Sequence, residues 1–170
     1  MDKTELKKIE ENFNYSLKKY KHKYLSSHWR FQINRKKVLL TSNNLINFRN
    51  NKLSYGLDDQ FYTKKKFFNN FELLKKICGD KFLEKTLLKK NIGNVKNYTM
   101  FKGKYFVDMH EIFFIKFLYD LETNIDFGKI KYICDIGSGY GALASKILKL
   151  HSSKKIILID LPESNLLSSF

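Results

Sequence analysis

Apolar positions recur with a helical period through the first two thirds of the chain and form two short strand-like runs in the last third. Leu6, Ile9, Phe13, Leu17 and Tyr20 stand three or four apart among Lys and Glu, which predicts an amphipathic helix over 5–24. Ser27 predicts the cap of a second helix that carries a core Trp29 with Ile33 and Leu40 and breaks at Thr41-Ser42-Asn43-Asn44. From Leu45 to Asp59 no period holds; the stretch has a glycine turn and reads as a solvated connector, with a ligand-contacting loop of mixed Arg, aromatic and carboxylate groups as the alternative. Phe67, Phe71, Leu74 and Ile77 predict a third helix that stops at Gly79. Asp80 then caps a fourth through Phe82, Leu83 and Leu87, ending near 91–93. After an irregular link, Asp108 and Glu111 have capping-box spacing before a fifth helix, Met109 to Glu122. That helix is apolar on almost every side, so burial between the helical front and a sheet is expected.

The last third changes period. Tyr132 to Ile136 is a short, partly β-branched run of the kind that forms a buried strand. Gly137, Gly139 and Gly141 follow at every second residue, and Leu143, Ile147 and Leu150 then lie on one helical face, with Ala144 and Leu148 beside them. Strand, glycine turn, helix is the setting in which glycines let a ligand approach the backbone and a helix start offers unpaired N–H groups. Asp135 lies at the carboxyl end of the first run. Asp160, nineteen residues beyond Gly141, ends a second run, Ile156 to Ile159. Acids at neighbouring strand tips are placed to bind an ammonium group and a ribose diol. Gly137, Gly139 and Ala142 also satisfy a dinucleotide pattern, and glycines placed for packing alone remain an alternative. The anion of Asp135 beside the turn disfavours a pyrophosphate and favours a ligand carrying ammonium and sulfonium groups.

In these residues the chain resembles the class I S-adenosylmethionine-dependent methyltransferases, whose first motif is an acid, any residue, then Gly-x-Gly-x-Gly. Asp135, Gly137, Gly139 and Gly141 match that motif, and Asp160 matches the ribose-binding acid. The resemblance implies an α/β fold, the start of a doubly wound Rossmann-like sheet, with S-adenosylmethionine as cofactor. It further implies that Asp135, Gly137, Ser138, Gly139, Tyr140, Gly141, Asp160 and Leu161 form the cofactor seat. A narrower similarity to bacterial sugar O-methyltransferases rests on the Trp29 region, Asn47-Phe48-Arg49, Gly56-Leu57-Asp58-Asp59, the glycine turn and Ile159-Asp160-Leu161-Pro162-Glu163. It implies a sugar hydroxyl as acceptor in glycan or nucleotide-sugar assembly. An α-helical region over 1–125 would then act as lid or substrate side, with the first β-α-β of the methyltransferase domain over 126–170. A complete sheet of that type has more strands than 170 residues supply here, so an incomplete, poorly stable and inactive domain is expected.

Charge adds a competing partner. The chain carries a net charge of +15; residues 1–125 hold 26 basic against 13 acidic side chains, and residues 126–170 hold 6 against 4. Nucleic acid, as for an RNA methyltransferase, or an anionic membrane surface is the usual partner of such a front, yet only three of the 32 basic residues are Arg; base readout and phosphate forks favour Arg, so a lysine-rich composition without such a partner is the commoner meaning. A non-enzymatic remnant that binds a partner is the other alternative. Residues 1–12 are charged and lack a secretory core, and no run is long and apolar enough to span a bilayer. Cys78 and Cys134, the latter inside the predicted buried strand, read as reduced cytosolic thiols. His22, His28, His110 and His151 are scattered, without metal-ligand spacing. His110 is placed either as a structural histidine or as a base lining the substrate cleft. No residue stands out as the catalytic group.

Overall fold

The computed structural model describes residues 3–19, 26, 27, 30, 31, 42–50, 63–96 and 98–168. Its described elements are α1 (Lys3–Lys19), α2 (Ser42–Ile46), α3 (Lys64–Thr86), β1 (Thr99–Phe101), β2 (Tyr105–Val107), α4 (Met109–Asn124), β3 (Tyr132–Ile136), α5 (Ala142–Leu150), β4 (Lys155–Ile159) and α6 (Pro162–Ser168), with a 3-10 turn at Phe127–Lys129. The chain is therefore mixed α/β. Trp29, Leu40 and the Gly56 to Asp59 motif lie outside the described residues.

α3 is two helices meeting at a kink where the sequence predicts a stop, because Gly79 takes the non-helical φ 72° and ψ 156° there. Thr63 caps its start by accepting a hydrogen bond from the Lys66 amide. It ends at Thr86, several residues short of the expected 91–93. The end is held from outside, since Lys149 Nζ of α5 donates to the Leu87 carbonyl at 2.6 Å. Carbonyls at a helix end need such a partner, and a lysine also suits the helix dipole.

The link read as irregular is a β-hairpin. Met100 pairs with Phe106 across β1 and β2, and Lys102 and Gly103 turn the chain with φ 51° and 63°. A left-handed backbone at two successive residues is what a tight turn with a glycine allows. So the region over 1–125 is not purely helical. Phe101, Tyr105 and Val107 of the hairpin join Phe71, Leu74, Leu83 and Leu87 from α3 and its exit and Ile112 and Ile115 from α4 in one buried cluster.

β3 and β4 run parallel with Ile133 opposite Ile156 and Ile136 opposite Ile159, connected through α5. Ile133 and Ile156 pack on Leu118, Phe127 and Ile147. The opposite face of this two-stranded sheet is open: Tyr132 is 57%, Ile136 79%, Ile157 56% and Ile159 48% exposed. The expectation of fully buried strands is corrected on that face, because every second side chain points away from the described helices that cover the sheet. Cys134 lies there too and is exposed, whereas Cys78 is half-buried and desolvation pushes its thiol up to about 11. With maleimide at neutral pH, Cys134 is expected to be labelled at least about tenfold faster than Cys78. Equal rates by mass spectrometry would mean that the face is covered.

α4 is likewise less enclosed than its composition suggests. Ile112, Ile115 and Leu118 are buried, but Phe113 is 67% and Phe117 45% exposed, so the helix has an inward and an outward apolar stripe. The N-terminal helix closes over the other end of the chain. Phe13 of α1, Leu45 of α2, Phe48 and Leu167 of α6 form a second buried cluster, against which Tyr140 packs. Leu45, Phe48 and Arg49 are thus interior groups, and for them the solvated-connector expectation is wrong.

Candidate functional site

The glycine turn lies where β3, β4 and α5 meet. Gly137, Gly139 and Gly141 take φ of 78°, 57° and 78°, a conformation that L side chains rarely adopt. The Gly137 amide donates to the Ile159 carbonyl at 2.8 Å, which carries the parallel ladder one residue past the strands and brings their tips level. A side chain added at Gly137 or Gly139 would meet nothing within 4 Å, so space lies over both.

Asp135 and Asp160 converge on this turn. Asp160 accepts from the Gly139 amide through Oδ2 at 2.6 Å and from the Leu161 amide through Oδ1 at 2.6 Å. Asp135, half-buried, has its pKa raised, first by desolvation and second by the negative charge of Asp160. Two carboxylates within electrostatic reach of each other beside a glycine turn form a seat for positive charge. Ser138, between the first two glycines, has a buried hydroxyl with no hydrogen-bond partner among the described residues.

Tyr140 faces the front of the chain. Its ring lies 5.3 Å from that of Phe48 and 6.4 Å from that of Phe114, and the Arg49 guanidinium lies 5.5 Å from its centroid. Arg49 also forms a fork with Asp108, Nη1 to Oδ2 and Nη2 to Oδ1 at 2.9 Å each, with both side chains almost wholly buried. Asp108 is the expected cap of α4 and accepts from the His110 and Glu111 amides. Burial alone would raise its pKa, but the hydrogen bonds and charge of Arg49, with the Glu111 amide, hold it below the usual carboxylate range.

The other half of the capping box does not form. Glu111 turns away from the cap to pair with Lys146 of α5 at 2.6 Å, and the Lys146 side chain is fully buried. Burial pushes the Glu111 carboxyl up, and Lys146 opposes that push. Lys146 stood unremarked in the sequence. A lysine at i+3 of Leu143 and one residue before Ile147, on the inward side of a nine-residue apolar helix, was the available signal.

Among the described residues, His110 is the histidine nearest the fork. Burial and the Arg49 charge lower its pKa, with Asp108 acting the other way, so its ring is neutral at pH 7. Because the folded pKa lies below the ordinary 6.5, the unfolded chain takes up this proton first on acidification. The contribution to stability is complete above about pH 6.5 and declines below it. Thermal melts of wild type and His110→Gln are expected to diverge in slope below pH 6.5 and run parallel above it. Parallel melts throughout would contradict a buried neutral ring.

A cavity of about 170 Å³ opens beside the turn. Tyr140, Gly141, Ser145, Phe106, Lys90 and Ile92 line it together with Arg49 and Asp108 of the fork. Among the described residues no cluster of three or more His, Cys, Asp or Glu side chains is placed to hold a metal ion, and no helix is long and apolar enough to cross a membrane.

Parallel strands joined through a helix, with acids at both tips and a glycine turn between, form a mixed α/β unit. Residues 93–165 match the model of the O-methyltransferase domain family. The matched segment contains the hairpin, Asp108, Glu111, the glycine turn, Lys146 and Asp160, and methyl transfer is the activity this similarity supports. Arg49, α1 and α2 lie outside it. Neither the curated proteins nor the solved structures contain a match to this chain.

Proposed function

We propose that the chain is an S-adenosylmethionine-dependent O-methyltransferase acting on a sugar hydroxyl, with Asp135, Gly137, Ser138, Gly139, Tyr140, Gly141, Asp160 and Leu161 as its cofactor seat. The observation that carries this is the convergence of Asp135 and Asp160 on a glycine turn with open space above it. S-adenosylmethionine, when bound, supplies a methyl group already activated by its sulfonium. Asp135 offers its charge to an ammonium group, which relieves the repulsion from Asp160. Each Asp160 oxygen accepts one backbone amide and keeps acceptor capacity for a ribose hydroxyl. The buried Ser138 hydroxyl gains a partner, and Gly137 and Gly139 leave the turn bare for close approach. Leu161 follows the ribose acid and packs at the adenine edge.

The cavity beside Tyr140 is the proposed acceptor site. At about 170 Å³ it is smaller than the ~300 Å³ lower range of ordinary ligand pockets, so a single ring suits it better than an extended ligand. Phe106 and Tyr140 line it with aromatic rings suited to the C–H side of a sugar, and Ser145 and Lys90 add polar groups suited to its hydroxyls. Residues 1–125 would form the substrate side and 126–170 the cofactor unit.

Calorimetric titration of the full chain with S-adenosylmethionine and S-adenosylhomocysteine tests the seat. Micromolar binding is expected, with Asp135→Asn and Asp160→Asn each weakening it about tenfold, a loss of about 1.4 kcal/mol. Absence of binding at millimolar ligand, or preferential binding of a nicotinamide dinucleotide, would sink the proposal. The exposed lysines of α3, among them Lys64, Lys65, Lys66, Lys81 and Lys85, favour RNA as the second acceptor class. RNA affinity that falls steeply with salt, with no methyl transfer to sugars, would decide for it.

A further inference from the structure

We propose that Arg49 is a positioning residue that latches the glycine turn to the front of the chain through Tyr140. The latch rests on the cofactor reading for its effect on affinity, but its geometry stands apart from that reading. Arg49 is held on three sides. Its guanidinium forks onto Asp108 at 2.9 Å per bond, its backbone amide donates to the Gly93 carbonyl at 3.0 Å, and its cationic face lies 5.5 Å from the Tyr140 centroid.

The backbone makes room for its stem. A Cβ built on Gly93, where φ is 75°, would stand 2.6 Å from Arg49 Cγ and 2.9 Å from a Phe48 ring carbon, so Gly93 is the gap into which the Arg49 stem fits. Asp108 is equally fixed, because it caps α4. Arg49 and Phe48 therefore press on Tyr140 from a rigid base, and Tyr140 lies between Gly139 and Gly141, where the backbone has most freedom to leave its left-handed conformation. A flanking aromatic pinned by a cation and two rings removes that freedom before ligand arrives, and preorganisation of this kind raises affinity without any added ligand contact. A planar guanidinium that forks onto a carboxylate while stacking on a ring is a role for Arg and not for Lys. The family match assigns Arg49 nothing, since residues 93–165 exclude it.

The test uses the full chain with Arg49→Lys, Arg49→Met and Tyr140→Leu, S-adenosylhomocysteine as probe, and amide hydrogen exchange of a peptide covering 137–142. Arg49→Lys keeps a charge opposite Asp108 and should fold; its Kd is expected to rise about five- to tenfold. Exchange at 137–142 should also quicken while the peptides of α3 stay protected. In a cycle with Tyr140→Leu the two losses should not add, because both remove one contact. Unchanged Kd and exchange in folded Arg49→Lys, or fully additive losses, would overturn the latch. If Arg49→Met does not fold, Arg49→Lys decides alone. A wild-type chain that does not bind the probe sinks the cofactor reading, and exchange at 137–142 then decides the latch by itself.

Discussion

Replacing Arg49 with methionine is expected to cost about 3–5 kcal/mol of folding stability, the range for breaking a buried ion pair from one side. The cost comes mainly from what stays behind. Asp108 is buried, its carboxylate is committed to capping α4, and without Arg49 its negative charge keeps only the amides of His110 and Glu111. The relation of stability to pH should change with it. In wild type the depressed pKa of Asp108 gives stability that is full above the ordinary carboxylate value of 3.8 and is lost as pH falls through the lower folded value. In Arg49→Met desolvation is no longer opposed by the guanidinium, the Asp108 pKa rises, and the variant should be relatively less unstable in mild acid than at pH 7. Denaturant melts of both proteins between pH 4 and 7 check this. Equal stability at pH 7 would show that the fork adds nothing to the fold.

Lys146→Met should be about as damaging, again about 3–5 kcal/mol, since it leaves Glu111 buried and unpaired. At a few degrees of melting temperature per kcal/mol for a chain of this size, the shift is about 10 °C. Pairing Lys146→Met with Glu111→Met should recover most of the loss, because a buried ion pair exchanged for apolar groups of similar volume is commonly neutral or stabilising. The raised pKa of Glu111 points the same way: burial is its largest influence, and Lys146 compensates for that only in part. A double variant no more stable than the single one would mean that the pair holds α4 to α5 by a geometry that methionines cannot reproduce.

Both pairs show where reading from sequence stopped. Asp108 was legible as a helix cap and Glu111 as its capping partner from their spacing alone, and the first held while the second did not. Spacing reports the local competition for backbone amides, but it does not know that a buried ammonium 35 residues away will claim the Glu111 carboxylate. The hairpin has a signal in Tyr98 to Val107, rich in aromatic and β-branched residues around Lys102 and Gly103, but its runs are too short for the period to separate them from an irregular link. Hydrophobicity places Cys134 and the whole of α4, with Phe113, in the interior; it says that a side chain avoids water but not which neighbour covers it.

By itself the sequence determined β3, the left-handed glycines, the helix behind them, β4 to within a residue, and the break at Gly79, because each of these depends on the conformational preferences and period of adjacent residues. Tertiary structure alone decided that Asp160 turns its carboxylate onto the Gly139 amide, that Lys149 closes the end of α3, and that one face of the sheet stays open. It also decided that Arg49, read as part of a connector, lies buried between Asp108 and Tyr140. These are meetings of residues far apart in the chain, and burial of a charge becomes affordable only where the fold brings its partner.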